Sequence, residues 1–160
     1  MICKHYVRQN ESITPGLYTP TEKELEKELG TTKSGTNFGP IWRTVLNKYV
    51  LDNNYTVQAG DVYTLDKWEE RLETCIVSTI DKDYNYCVIA NLNHGPLEAG
   101  DCVNEFYANK KVAHYVTVYG YANSNVYISD PHNLMSDQDR LYSTSYRNLA
   151  ITTHARGIVW

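Results

Sequence analysis

The chain has 160 residues, a net charge of −4 and a pI near 5.7, with 42% hydrophobic and 21% charged residues. A globular chain of this length buries roughly 70% of its unfolded surface, which is enough for one self-sufficient domain. The acidic balance gives nucleic acid no electrostatic foothold, and no apolar run is long enough to span a bilayer, so neither nucleic-acid binding nor membrane insertion is expected.

In chain order, Met1 to Arg8 carries apolar residues at 1, 2, 3, 6 and 7, the pattern of the end of an amphipathic helix with no cap before it. That pattern reads as residues 1–160 forming a single domain shortened at its N-terminus. Asn10 to Pro20 is a loop. Thr21 and Glu24 form a capping box for a charged helix that runs to Leu29, with Gly30 as its terminal glycine. Ile41, Val45, Leu46 and Tyr49 share a face of a buried helix at about 39–51. Tyr55 to Gln58 is a short strand. Asp66 caps a third helix, whose buried face holds Trp68, Leu72, Cys75, Ile76, Thr79 and Ile80.

After Asp81 the period changes. Tyr86 to Leu92 reads as a central strand, and Asn93 to Lys111 as a long loop beside a cleft. Ala113 to Tyr119 alternates, placing His114, Val116 and Val118 on one face and Tyr115, Thr117 and Tyr119 on the other. Gly120 to Asn125 supplies a turn, and Val126 to Ser129 returns as the second strand of an antiparallel hairpin. A polar loop at 133–140, a short helix from Ser145 and a last strand at Gly157 to Trp160 close the chain. Helices precede an antiparallel sheet, so the fold class is α+β.

The hairpin carries the chemistry. Its returning strand ends in Asp130-Pro131, and Pro131 holds Asp130 extended within reach of His114. A carboxylate that orients an imidazole is two-thirds of a nucleophilic triad. Asp-Pro also makes ordinary Asx turns. His94 and His132 stand in loops flanking the hairpin and, with Tyr115, are candidates for lining a groove. Fourteen tyrosines against two phenylalanines suit half-wet strands and clefts. No cysteine–histidine spacing of a metal site occurs, so neither metal nor other cofactor is expected. The four cysteines, Cys3, Cys75, Cys87 and Cys102, read mainly as small buried hydrophobes, with disulfides left open.

The segment His114-Tyr-Val-Thr-Val-Tyr-Gly-Tyr, followed by Val126-Tyr-Ile-Ser-Asp130-Pro131, resembles the His and Asp motifs of bacterial papain-like cysteine peptidases related to the leader peptidases of bacteriocin exporters. Thr21 to Thr32, Gly35-Thr36, Val88 to Asn91 and Gly157 to Trp160 extend the resemblance over most of the chain. It implies a papain-like fold with N-terminal helices packed on an antiparallel sheet, a peptide or protein substrate, and a cell-surface or extracellular setting in Gram-positive bacteria. It also implies a cysteine within Cys-Gly-Pro at a helix N-terminus, where the helix end and an imidazolium lower the thiol pKa. The sequence contains no Cys-Gly-Pro. His114 and Asp130 are therefore the catalytic candidates, with Cys3 and Cys102 as secondary candidates for nucleophile. The alternatives are a pseudo-peptidase that binds a peptide or cell-wall ligand in a tyrosine-rich groove, and an amidase or acyltransferase using Cys102 or Cys3.

Overall fold

The computed structural model describes residues 20–49, 55–81, 87–94, 101–108, 110–132 and 134–160. The helix expected at 1–8, Cys3, the loop from Asn10, Tyr86 and part of the 93–111 connection lie outside these residues. The chain groups into two compact units, Met1–Val57 with Val159, and Gln58–Ile158 with Trp160.

In the first unit, helix α1 spans Glu22–Glu28 and its capping box is present in both directions. Gly30 follows in the left-handed region (φ 67°), where a side chain would be strained. Helix α2 spans Pro40–Leu46, shorter than the sequence pattern suggested. Its last turn tightens, with the Lys48 and Tyr49 amides bonding three residues back, to Val45 and Leu46. The Asn47 side chain meanwhile bonds both the N–H and the C=O of Tyr55. Val45 and Leu46 are buried as expected, but Trp42 fills the place assigned to Ile41, which is exposed. The Trp42 indole N–H donates to the Asn37 carbonyl, a tie that apolar periodicity does not register.

A six-stranded sheet has the order β1-β6-β2-β3-β4-β5, with β2 to β5 wholly in the second unit. The strands are β1 (Val57–Gln58), β2 (Val88–His94), β3 (Val112–Ala122), β4 (Asn125–Ser129), β5 (Leu141–Ser145) and β6 (Gly157–Val159). β2 to β5 run antiparallel to their neighbours. β2 lies inside the sheet, and Cys87 to Leu92 are buried without a break, as a central strand requires. Helix α3 spans Leu65–Ile80 and α4 spans Tyr146–Thr153. Their apolar faces join Val88, Ala90, Leu92, Val116, Val118, Val126, Ile128 and Ile158 in one core, and the Trp68 indole N–H donates to Thr153 Oγ1 at 2.9 Å inside it.

Three sequence expectations change here. Thr64, not Asp66, caps α3; its hydroxyl accepts from the Lys67 amide and leaves Asp66 as a first-turn acid. β3 runs on to Ala122, and the turn shrinks to Asn123 (φ 55°) and Ser124. A bulge between Val118 and Gly120 resets the alternation, so Tyr121, opposite Val126, packs on the core and its hydroxyl donates to Asp81. Finally, Leu141–Ser145, between the expected loop and the expected helix, forms the strand β5, to which no element was assigned.

Candidate active site

β3 and β4 pair up to Thr117 and Ser129, side chains that share the face away from the core. Asp130, one residue past that pair, therefore turns to the core face beside Val116, and His114 is the next residue of β3 on that face. This is the diagonal relation in which neighbouring strands bring side chains together. His114 Nε2 lies 3.2 Å from each Asp130 carboxylate oxygen. The hydrogen bond expected from the hairpin is present. Asp130 is almost fully buried, while the His114 side chain keeps 15% of its surface exposed.

Asp130 has more partners than its histidine. The Tyr107 hydroxyl donates to Oδ2 at 2.6 Å and the Tyr142 hydroxyl to the same oxygen at 2.9 Å. The His132 backbone N–H donates to Oδ1 at 2.9 Å, so the Asx turn anticipated for Asp-Pro exists alongside the imidazole contact. The Asp130 N–H donates to the Arg140 carbonyl, which closes the loop after β4. Tyr142 reaches the carboxylate because it faces Ile128 across β4–β5, two residues before Asp130 on the same face. Tyr107 comes from the connection after β2. It ends a 3₁₀ turn, Glu105–Tyr107, that Asn104 caps through its side chain, and it is fully buried.

Burial alone would raise the Asp130 carboxyl. Hydrogen bonds from His114 and Tyr107, the His114 charge and the His132 amide outweigh burial and hold the group at about 2. The same carboxylate works in the opposite sense on its donors: Tyr107 and Tyr142 are pushed up, first by burial and then by Asp130. An ionised carboxylate only accepts, so its nearest ring nitrogen, Nε2, carries the proton.

His132 stands against the pair. Its ring meets those of Phe106, Tyr107 and His114 edge-on at 5.1, 5.8 and 5.7 Å between centroids. Its Nδ1 accepts the Leu134 amide, and burial followed by the neighbouring His114 pushes its pKa down. The Lys110 ammonium sits 3.4 Å over the Phe106 ring, so a cation borders this aromatic group.

The other sequence candidates fall elsewhere. His94 is the last residue of β2, opposite Val112, rather than part of a loop. Tyr115 is on the face of β3 away from His114. Cys102 is buried beside Ser143–Ser145 and Asn148, whose side-chain amide donates to its carbonyl. Burial and then Asp101 raise its thiol, and burial takes Cys75 to about 11. A nucleophilic thiol requires the reverse shift. Among the described residues, no three His, Cys, Asp or Glu side chains are grouped to hold a metal, and no helix is long and apolar enough to cross a membrane.

The model of the Peptidase_C39 like family matches residues 1–152, 152 of the chain's 160 residues. The chain belongs to the Peptidase_C39 like family. No curated protein and no solved structure matches it. The family match covers the hairpin, both tyrosines and the caps of α1, α3 and α4, so the His114–Asp130 geometry belongs to a cysteine-peptidase-like domain. Sequence reasoning missed Tyr107 and Tyr142. Nothing in a row of fourteen tyrosines distinguishes the two that reach a buried carboxylate; only strand pairing and the 3₁₀ turn do so.

Proposed function

We propose that this protein is a papain-like cysteine peptidase domain in which His114 and Asp130 are the imidazole and carboxylate of a Cys-His-Asp triad acting on peptide bonds. The observation that carries this reading is the His114–Asp130 pair, with its carboxylate held ionised at about 2. Asp130 occupies Nε2, so proton exchange with a thiol and with the leaving amine runs through Nδ1. A thiolate adds to the amide carbon and forms a tetrahedral oxyanion; its collapse to a thioester expels the amine, which takes the proton from Nδ1. Asp130 keeps the ring in one tautomer and stabilises the imidazolium throughout.

The buried state of Cys75, Cys87 and Cys102 favours a nucleophile other than these three. It also supports the second reading, a pseudo-peptidase in which His114, His132 and Phe106 line a peptide-binding groove. Thiol labelling by iodoacetamide near pH 6, mapped by peptide mass in the wild type and in His114→Ala, separates the two. A single fast-labelling cysteine that slows about tenfold or more in the variant establishes a thiolate–imidazolium pair in this chain. Uniformly slow labelling in both proteins removes the nucleophile from this chain and leaves the binding reading.

A further inference from the structure

His114 Nε2 lies closer to a phenol than to its carboxylate: 3.0 Å to the Tyr107 oxygen, against 3.2 Å to either oxygen of Asp130. The Tyr107 hydroxyl has one hydrogen, and the 2.6 Å contact with Oδ2 commits it to Asp130. A lone pair of the same oxygen is then left to accept from Nε2–H. The Tyr107 ring lies along the imidazole, with centroids 5.0 Å apart and planes at 33°, and Phe106 packs against it edge-on. The Met135 sulfur, 3.6 Å from the hydroxyl, adds packing to this fully buried site. Tyr142 makes the contrast. Its hydroxyl donates to the same Oδ2 at 2.9 Å, and that bond runs to the carboxylate alone of the pair.

We propose that Tyr107 is a positioning residue of the triad, a phenol relay that accepts from His114 Nε2–H and donates to Asp130 Oδ2, so that part of the coupling between imidazole and carboxylate passes through it. This rests on the triad reading above and goes beyond it, because the pair becomes a three-membered chain. When the imidazole gains charge, the phenol polarises in both directions and both hydrogen bonds tighten. Tyr142 plays a different part. It only draws on the carboxylate, competing with the imidazole for Oδ2.

The two tyrosines must then act on the His114 ring proton in opposite directions. The full chain, labelled with ¹⁵N in histidine, is compared as wild type, Tyr107→Phe and Tyr142→Phe by proton NMR of the ring N–H signals, with His114→Ala used to assign His114. In Tyr107→Phe the Nε2–H signal is expected to move upfield and to exchange with water about tenfold faster, the factor that matches one net hydrogen bond. In Tyr142→Phe it is expected to move downfield and stay protected. Shifts in the same direction, or no change in Tyr107→Phe, overturn the relay and make Tyr107 a second carboxylate donor only. If Tyr107→Phe fails to fold, 3,5-difluorotyrosine at position 107 keeps the shape while making the hydroxyl a stronger donor and a weaker acceptor. The upfield shift is then expected from that protein, and its absence overturns the relay. The readout needs no thiol and no turnover, so the relay and the peptidase reading can fail separately.

Discussion

Two carboxylates in this protein each accept from a tyrosine hydroxyl and from a nitrogen, and both are held below the ordinary carboxylate range. Glu28, in the first unit, takes the Lys48 ammonium and the Tyr49 hydroxyl, both at 2.7 Å, with Lys48 half exposed. Asp130, in the second, takes two phenols, an amide and an imidazole with almost no exposure. The bonds are of similar length, yet their consequences differ because water replaces any partner lost at Glu28 and none at Asp130. Burial turns a set of ordinary hydrogen bonds into an obligatory one.

The two sites should differ most when each carboxylate is removed. Asp130→Ala leaves a buried phenol, a partly buried one and a ring N–H without their acceptor and is expected to cost about 3 kcal/mol or more in urea unfolding. Glu28→Ala is expected to cost less than about 1 kcal/mol, as exposed pairs do. Equal costs would mean that the Asp130 network contributes no more than a surface pair.

Acid is the next test. The folded value of Asp130 lies below its ordinary one, from 3.8 down to about 2. Its contribution is therefore complete above about pH 4 and is lost as pH falls through 2, an amount of about 2 kcal/mol. Unfolding followed from pH 5 to 2 should show that decline in the wild type and a flatter one in Asp130→Asn. Parallel curves would assign acid sensitivity to other carboxylates. The smallest difference is expected from the phenols. Tyr142→Phe should cost about 1–2 kcal/mol, and Tyr49→Phe only a few tenths of a kcal/mol, little changed in 1 M salt, which screens the Lys48–Glu28 ion pair rather than the neutral phenol's hydrogen bond.

The legible parts of the sequence were the local ones. The Thr21–Glu24 capping box, the buried face of α3 and the alternation of β3 as far as Val118 are each set by residues within a few positions of one another, and they are present as read. His114 and Asp130 were also within reach because one hairpin joins them. What was hidden was set by contacts that no periodicity marks, whatever their separation along the chain. Trp42 displaced Ile41 through a bond to the Asn37 backbone, and Leu141-Tyr-Ser-Thr-Ser has too little apolar alternation to announce β5. Without β5, Tyr142 has no route to Asp130, and Tyr107 reaches it only through a 3₁₀ turn inside a connection that reads as featureless loop.

The two-residue turn at Asn123-Ser124 has a kinetic consequence. Only 15 residues separate His114 from Asp130, and a tight hairpin of this kind zips on the microsecond timescale. Contacts of such short sequence separation cost little loop-closure entropy and tend to form before long-range ones. The imidazole and carboxylate can therefore find each other while the rest of the chain is still searching, and the buried charge arrives in the core already partnered. Tyr142, 12 residues beyond Asp130, joins with the next strand. Tyr107, only 7 residues before His114, is near enough along the chain to join the pair at little further closure cost.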